Sequence, residues 1–544
     1  KKFPFIYINI KYIFYKVLFS KKGDFREILI FPYNNNLSIN GYFKPLFNKK
    51  KNEGYFVRFY NTSFEKPSVL NFLSFFKNFN LFFIEIYKSK IISKKLKINI
   101  KRKNDLFILS HFDSSNLQLE IKKEKKKQLF TLSPERFSII RLDKGTNIIS
   151  SKKKFICSDC FQKKIIPIKK KIVIMIFIDG FIFDKSNTNN LKFFPNISSM
   201  ANSGVVFGKN YATAEWTLPS FASIITGKYT HNHGIFHPDY HHNVNEKNTL
   251  LQEYFQKNNF LTYQINSGKR SNPLYGYING FDRTVFKENL DCKETVFETI
   301  DHLETFNQYN NFMFLGLNDL HHYTKINPPY YTQSKLEPFK IFNVEKTKNK
   351  SVNEAFNKNK IEILYKQMSY IDKYLGILFD YLKKDKNKDF ICTIVTDHGH
   401  SYASKKNNIL SSDKTRVPWL LFGTDIKKRF STELTSNVDV LPTLLKLSKI
   451  KYDYNKYDGR LPSFLAGNNL KKRDIYTESF FPKQTFKVMI RNKFQTHYVE
   501  TLNKLDSTGK INLKDTNYKK SPNLLVKNKV NNILKAWSKN HGYN

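Results

Sequence analysis

Three uninterrupted apolar runs leave this chain few folds: Ile172 to Ile178, Phe312 to Leu317 and Ile391 to Val395. Runs without alternating polar positions are strands buried on both faces, the condition of a parallel sheet covered by helices. Between the last two runs, Leu364, Met368, Ile371, Leu375, Leu378 and Leu382 step by four, three, four, three and four residues. That spacing draws a single apolar stripe along a helix, and the stripe belongs to a core. From Lys171 onward the chain therefore reads as an α/β domain with a mixed sheet flanked by helices. It closes with an antiparallel pair near Val488 to Arg491 and His497 to Thr501.

Upstream the period changes to two. Leu96, Ile98 and Ile100 alternate with Lys97, Asn99 and Lys101, and Leu117, Leu119 and Ile121 repeat the pattern. Half-buried strands of this kind predict a β-rich, sandwich-like N-terminal domain. The lysine run Lys122 to Lys127 reads as a solvated face rather than a nucleic-acid patch. Basic stretches at Lys152 to Lys154 and Lys163 to Lys171, with Pro167, suit a solvated linker, and Cys157 and Cys160 read as incidental thiols in it. The organisation expected is residues 1–165 for the β-rich domain with its linker and 166–544 for the α/β domain with a C-terminal antiparallel subdomain.

Composition narrows the class. With 40% hydrophobic residues the chain is too apolar for disorder, and four cysteines in 544 residues do not make a disulfide-dense scaffold. No run reaches the ~18 apolar residues of a membrane-spanning helix. The apolar runs from Lys1 to Ser20 are shorter than a signal-peptide core of ~7–15 residues, so the location expected by default is cytoplasmic. The chain begins at Lys1 rather than Met, which leaves an upstream segment open. The net charge of +45 favours polyanionic partners. Lysine is abundant along the whole length, however, which reads as a global bias and makes nucleic acid an unlikely partner.

The chemistry sits where the buried strands end. Ile178 is followed by Asp179, Leu317 by Asn318 and Asp319, and Val395 by Thr396, Asp397 and His398. A single strand-end Asp is commonly a cap or turn former. Three strands delivering carboxylates and imidazoles to one edge build a metal-attracting cluster where α/β sheets bind ligands. Thr217, two residues before Pro219 and ten before Gly227, falls at or just before a helix N-terminus. There it is either a plain N-cap or a hydroxyl that free amides and a metal can activate.

These residues resemble those of the alkaline phosphatase superfamily, most closely its sulfatase-like branch, from about Lys171 to about Val499. Asp179-Gly180 resembles the first metal ligand and Pro195-Asn196-Ile197 the "PNI" helix start. Thr217-Leu218-Pro219-Ser220 through Thr226-Gly227-Lys228-Tyr229 resembles the nucleophile signature, continued by His231-Asn232-His233-Gly234. Gly268-Lys269, Gly280-Phe281-Asp282 and Asp319-Leu320-His321 resemble the "GKW", "GFD" and "DxH" elements. Thr396-Asp397-His398-Gly399, Arg416-Val417-Pro418 and Asp439 through Pro442-Thr443-Leu444 are similar to the second metal-binding turn, the "RVP" strand and the "D-x-x-PTL" helix.

The departures from the sulfatase pattern point elsewhere. Sulfatases mature a Cys or Ser into formylglycine, and Thr217 cannot give that aldehyde. Phe221 replaces the following Arg, Gly180 the second Asp of "DD", and Ser271 the His of "GKWH". Asp179, Thr217, Asp397 and His398 instead match the ligand pattern of phosphodiesterase and phosphotransferase members that use Thr directly. The resemblance thus implies a hydrolase or transferase of phosphate esters, in which Asp179, Thr217, Asp397 and His398 hold one divalent cation. Zinc or manganese is favoured, with calcium and magnesium left open. Thr217 becomes covalently phosphorylated, while Lys269 and His321 neutralise oxygens or protonate the leaving group. A second metal would need further His, and after Asp319, His321 and His322 only His400 and His497 follow. His231, His233, His237, His241 and His242 are read as loop residues near the site rather than a separate zinc site. The substrate expected is an anionic ester, glycan- or lipid-linked. Two alternatives stay open: a sulfuric ester hydrolase, and a non-catalytic binding protein for polyanions with a degenerate site.

Overall fold

The computed structural model describes residues 47–48, 53–60, 83–100, 105–111, 115–133, 137–142, 144–158, 170–182, 194–237, 248–268, 270–271, 273, 277–287, 290–321, 328–337, 354–384, 388–406, 408–467, 473–513, 517–520 and 522–541. Lys1 to Ser20, Pro167, Cys160, Lys269, His241, His242 and His322 therefore lie outside the described residues.

The N-terminal stretch contributes β1 (Phe47–Asn48), β2 (Glu53–Tyr60), β3 (Phe83–Ile92), β4 (Lys95–Ile100), β5 (Asp105–His111), β6 (Leu117–Lys123), β7 (Lys126–Leu132), β8 (Ser138–Leu142), β9 (Gly145–Ser151) and β10 (Phe155–Cys157). One sheet runs β3-β10-β5-β8 and another β4-β9-β6-β7, all antiparallel. Ile98, Ile100, Leu119 and Ile149 of the second sheet share a core with Phe107, Leu109, Ile140 and Leu142 of the first. The period-two pattern thus does build a sandwich. At the tip of the β6–β7 hairpin, Lys122 and Lys127 both pair with Glu120, so the lysine run is a solvated face, as expected. The linker reading fails for Cys157. Phe155, Ile156 and Cys157 form a strand inserted between β3 and β5, and the thiol packs in the sandwich core.

The α/β part contributes β11 (Lys170–Ile178), β12 (Val205–Tyr211), β13 (Leu261–Asn266), β14 (Arg283–Phe286), β15 (Asn311–Leu317), β16 (Lys388–Val395), β17 (Trp419–Gly423) and β18 (Arg429–Ser436). Their order is β18-β12-β17-β16-β11-β15-β13-β14. The three apolar runs are the adjacent parallel strands β15, β11 and β16 at its centre. Helices α1 (Pro195–Ala201), α2 (Thr217–Thr226), α3 (Cys292–Thr305), α4 (Lys358–Lys384) and α5 (Val440–Leu447) cover the sheet. Apolar residues of α2 and α5 pack on one face, and those of α1, α3 and α4 on the other. All six stripe residues of α4, from Leu364 to Leu382, are buried there. Burying each such side chain stabilises the fold by roughly 1.5–3 kcal/mol. Asp372, on the same helix, accepts hydrogen bonds from Asn196 N (3.2 Å), Asn196 Nδ2 (2.9 Å) and Ile197 N (2.8 Å), capping α1 across the interface.

Sandwich and α/β sheet are continuous. β14 pairs antiparallel with β3, Arg283 opposite Tyr87 through Phe286 opposite Ile84, so a single 14-stranded sheet runs through both. Arg283 locks that seam, donating to Glu85 at 2.7 Å and to Glu298 at 2.6 Å. At the other end β19 (Ile475–Ser479), β20 (Thr485–Arg491) and β21 (Thr496–Lys504) form a separate antiparallel sheet containing the expected closing pair. Helix α6 (Leu524–His541) packs on it through Trp537 and Val530. Among the described residues no helix is long and apolar enough to cross a membrane.

Candidate metal and nucleophile site

Strands β11 and β16 run in parallel register, Phe177 beside Val395, so their carboxyl ends deliver Asp179 and Asp397-His398 to one place. Helix α2 arrives opposite. Trp216 is its extended N-cap residue (φ −153°), Thr217 its first helical residue, and Gly227 (φ 66°) its left-handed end. Ser220 Oγ accepts from Ala214 N at 3.0 Å and donates to Ala214 O at 3.1 Å, fixing the approach of this loop. The amides of the first turn have no intrahelical acceptors, which makes the position a natural seat for anionic oxygens.

Thr217 Oγ1 lies 3.3 Å from Asp179 Oδ2 and 3.3 Å from His398 Nε2. His398 Nε2 lies 3.2 Å from Asp397 Oδ2 and 3.9 Å from Asp179 Oδ1. One ligand atom from each of Asp179, Asp397 and His398 falls within 4.8 Å of the others, and all three residues are buried. His398 Nδ1 faces the Gly399 carbonyl at 2.9 Å, which makes Nδ1 the donor and turns a bare Nε2 lone pair toward the carboxylates. Asp397 Oδ1 accepts from Gly180 N (3.2 Å) and His398 N (2.9 Å). Asp179 Oδ1 and Asp397 Oδ2 are buried without any hydrogen-bond partner. Burial, with the charge of Asp397 next in size, holds the Asp179 carboxyl well above the usual carboxylate range, against the Thr217 hydrogen bond. Two orphaned carboxylate oxygens and a lone pair converging in a buried space are the donor set of a divalent cation, so these residues fit one.

Among the described residues, the other expected candidates do not belong to this ligand group. His321 sits in the turn after β15, its amide on Asn318 O at 3.0 Å, outside the Asp179–Asp397–His398 cluster. Asp319 accepts from Cys292 N at 3.0 Å at the start of α3, and burial pushes its carboxyl up to about 7. His497 pairs with Gln495 on β21. Of the clustered histidines, two are braced by protein partners: His231 Nδ1 lies 2.5 Å from Glu478 Oε1, and His233 Nε2 lies 3.0 Å from Ser223 Oγ of α2. Asp282 of "GFD" caps the start of β13 through Thr262 N and Oγ1, and Asp439 clamps Arg473.

Three more buried residues stand near the site, of which Glu215 and Lys414 had no place in the sequence reading and His400 was named only in weighing a second metal. His400 is buried with Nε2 unpartnered, stacked on Tyr402, and Gly180 leaves it room: a Cβ there would lie 2.4 Å from that nitrogen. Burial, then His398, pushes its imidazole down to about 3. Glu215 is buried with Oε1 held by Ser479 Oγ at 2.6 Å and Oε2 unpartnered. Burial raises its carboxyl, opposed mainly by that hydrogen bond and more weakly by Lys487 and His398. Lys414, buried two residues before the "RVP" element, has its ammonium pushed down by burial and partly restored by Glu215.

The profile of the sulfatase family matches residues 171–450, and the chain belongs to that family, a sulfatase-like member of the alkaline phosphatase superfamily. It is a family of hydrolases whose members generally bind a divalent metal. Among solved structures the chain is similar to a protein in the alkaline phosphatase superfamily from Vibrio parahaemolyticus, at 16% identity and a TM-score of 0.46, over 69% of this chain and 88% of that one. It is similar also to BT1596, described as a 2-O GAG sulfatase, at 18% identity and a TM-score of 0.48, over 69% and 93%. BT4656, solved with its substrate D-glucosamine-2-N,6-O-disulfate, aligns at 15% identity and a TM-score of 0.46, over 69% and 99%. No curated protein matches the chain.

Proposed function

We propose that this protein cleaves an anionic ester at the centre formed by Asp179, Thr217, Asp397 and His398, with Thr217 Oγ1 as nucleophile. The observation that carries the proposal is the position of the Thr217 hydroxyl, 3.3 Å from both Asp179 and His398 at a helix N-terminus. Asp179, Asp397 and His398 would hold a divalent cation, which when bound would polarise the ester as a Lewis acid and lower the pKa of the hydroxyl. Asp179 Oδ2 accepts the Thr217 proton as Oγ1 bonds to the central sulfur or phosphorus. The first-turn amides of α2 hold the non-bridging oxygens. By the family resemblance, Lys269 is the residue assigned to neutralise those oxygens and His321 the one assigned to protonate the departing alcohol. Water then releases the anion from Thr217. This chemistry is assigned to the unit 166–544, with 1–165 as the second unit.

Family membership supports a sulfuric ester as substrate ahead of the phosphate ester that the sequence reading put first. The phosphate reading keeps one observation of its own: threonine cannot become formylglycine, and its hydroxyl attacks phosphorus directly in members with this ligand pattern. An aryl sulfate and an aryl phosphodiester, each assayed with zinc, manganese, calcium or magnesium, separate the two. The expected result is turnover of one ester, lost in Thr217→Ala and in Asp397→Ala, with a covalent adduct mapped to Thr217. Turnover that survives Thr217→Ala, or no turnover of either ester by metal-loaded protein, overturns the proposal, the second outcome in favour of the binding-protein reading.

A further inference from the structure

A cleft of about 1300 Å³ runs along β18, the edge strand of the large sheet, and none of Asp179, Thr217, Asp397 or His398 lines it. Its lining combines two features seldom left on a surface together. Phe430, Tyr454 and Phe494 project into it while remaining 52%, 72% and 75% exposed, although burying rings of this size is worth more than any other side chain. The ring of Phe430 comes close to the backbone at Gly208, where a Cβ would lie within 2.6 Å of its Cζ. Beside the rings stand Arg429, Lys446 and Lys493, none of which pairs with a carboxylate among the described residues, although Lys493 lies 5.8 Å over the Phe494 ring and Arg429 5.5 Å over Phe464. The acidic residues of the lining are already committed inward. Asp439 binds Arg473 and the Arg460 amide, Asp458 binds Asn232 and the Tyr229 amide, and Glu433 takes the Ser463 amide. The charge left facing the cleft is therefore positive.

Exposed aromatic rings flanked by cations that lack a carboxylate partner fit a chain whose units offer both a stackable ring and a fixed negative charge. We infer that this cleft binds an anionic oligosaccharide, a sugar chain bearing sulfate or phosphate esters, as a site separate from the Thr217 centre. The purpose of such a site rests on the ester-hydrolase reading, since a chain with several anionic esters can be held here while one of them reacts. The binding itself does not depend on that reading. A glycan is favoured over a nucleic acid because its anionic ester is the chemistry for which the metal and nucleophile site is built.

The test uses the full chain and fluorescence anisotropy with a labelled sulfated oligosaccharide, its unsulfated counterpart, a phosphorylated oligosaccharide and a single-stranded oligonucleotide of matched charge. One or both anionic oligosaccharides should bind, and the unsulfated one should bind far more weakly. Tyr454→Ala with Phe494→Ala should weaken binding roughly tenfold. Lys446→Glu with Lys493→Glu should weaken it at least as much and flatten its salt dependence. Thermal unfolding and turnover of a small aryl ester should stay at wild-type values in both variants, because the residues are exposed and Thr217 does not line the cleft. Binding that is absent, or indifferent to both double substitutions, overturns the inference. So does an oligonucleotide that binds more tightly with the same sensitivity, which would make the cleft a nucleic-acid site. Failure of the hydrolase reading shows instead as missing ester turnover, a separate readout.

Discussion

Gly180→Ala tests the construction of the site from behind. Gly180 has φ 75°, and a side chain held in that left-handed region costs ~1–2 kcal/mol. The added Cβ would also meet His400 at 2.4 Å from Nε2 and 2.6 Å from Cε1, about 1 Å short of the 3.4 Å at which ordinary contact begins. The imidazole has little freedom to retreat, since it is buried and stacked on Tyr402 with ring centroids 4.7 Å apart. Overpacking of this kind adds ~1–3 kcal/mol. The substitution should therefore destabilise the protein by roughly 2–5 kcal/mol. It should also weaken metal binding, because the Gly180 amide is one of the two that orient Asp397 Oδ1. Urea unfolding followed by the fluorescence of Trp216, Trp419 and Trp537 reads the α/β part and C-terminal sheet without interference from the sandwich. In a His400→Ala background the steric part vanishes and only the backbone strain of ~1–2 kcal/mol remains, leaving a coupling of ~1–3 kcal/mol between the two positions. Equal cost in both backgrounds would refute the packing of His400 on Gly180.

Two further substitutions probe the scaffold. Burial opposes the charge on His231, but Glu478 outweighs it and holds the imidazole above its usual value. The pair's stabilisation is then complete below the unfolded pKa of about 6.5 and is lost as pH rises through the raised folded value. Wild-type stability should fall more steeply than that of His231→Gln as pH rises above about 6.5, and parallel curves would dismiss the ion pair. Asp372→Ala leaves the first-turn amides of α1 uncapped beneath α4 and should cost about 3 kcal/mol in urea unfolding, a loss under about 0.5 kcal/mol being incompatible with the cap.

What could be read from the sequence follows from where each signal is local. Asp179, Asp397 and His398 were legible because each breaks an apolar run at its end, and Thr217 because Pro219 and Gly227 bracket its helix. Lys414 was not, since one lysine in a chain with 91 lysines and arginines carries no mark until its burial is known. Glu215 and His400 are hidden for the same reason: their interest lies in unpartnered atoms created by packing. The cap from Asp372 spans 176 positions, beyond the reach of any capping motif. The three-residue β10, flanked by lysines, looked like a linker because its apolar content is too short to register as a strand before its neighbours surround it.

The seam between β3 and β14 sets an order of assembly. Arg283 and Glu85 are 198 positions apart, and β14 offers only four residues to the pairing. Synthesised from its N-terminus, the chain completes the strands of the sandwich long before β14 leaves the ribosome, and so distant a contact closes late. In that interval the stretch of β3 from Ile84 to Tyr87 keeps an open row of amides and carbonyls on the side that β14 will cover. Arrival of β14 therefore does more than extend a sheet: it ends the period in which a nascent chain can pair with the wrong strand.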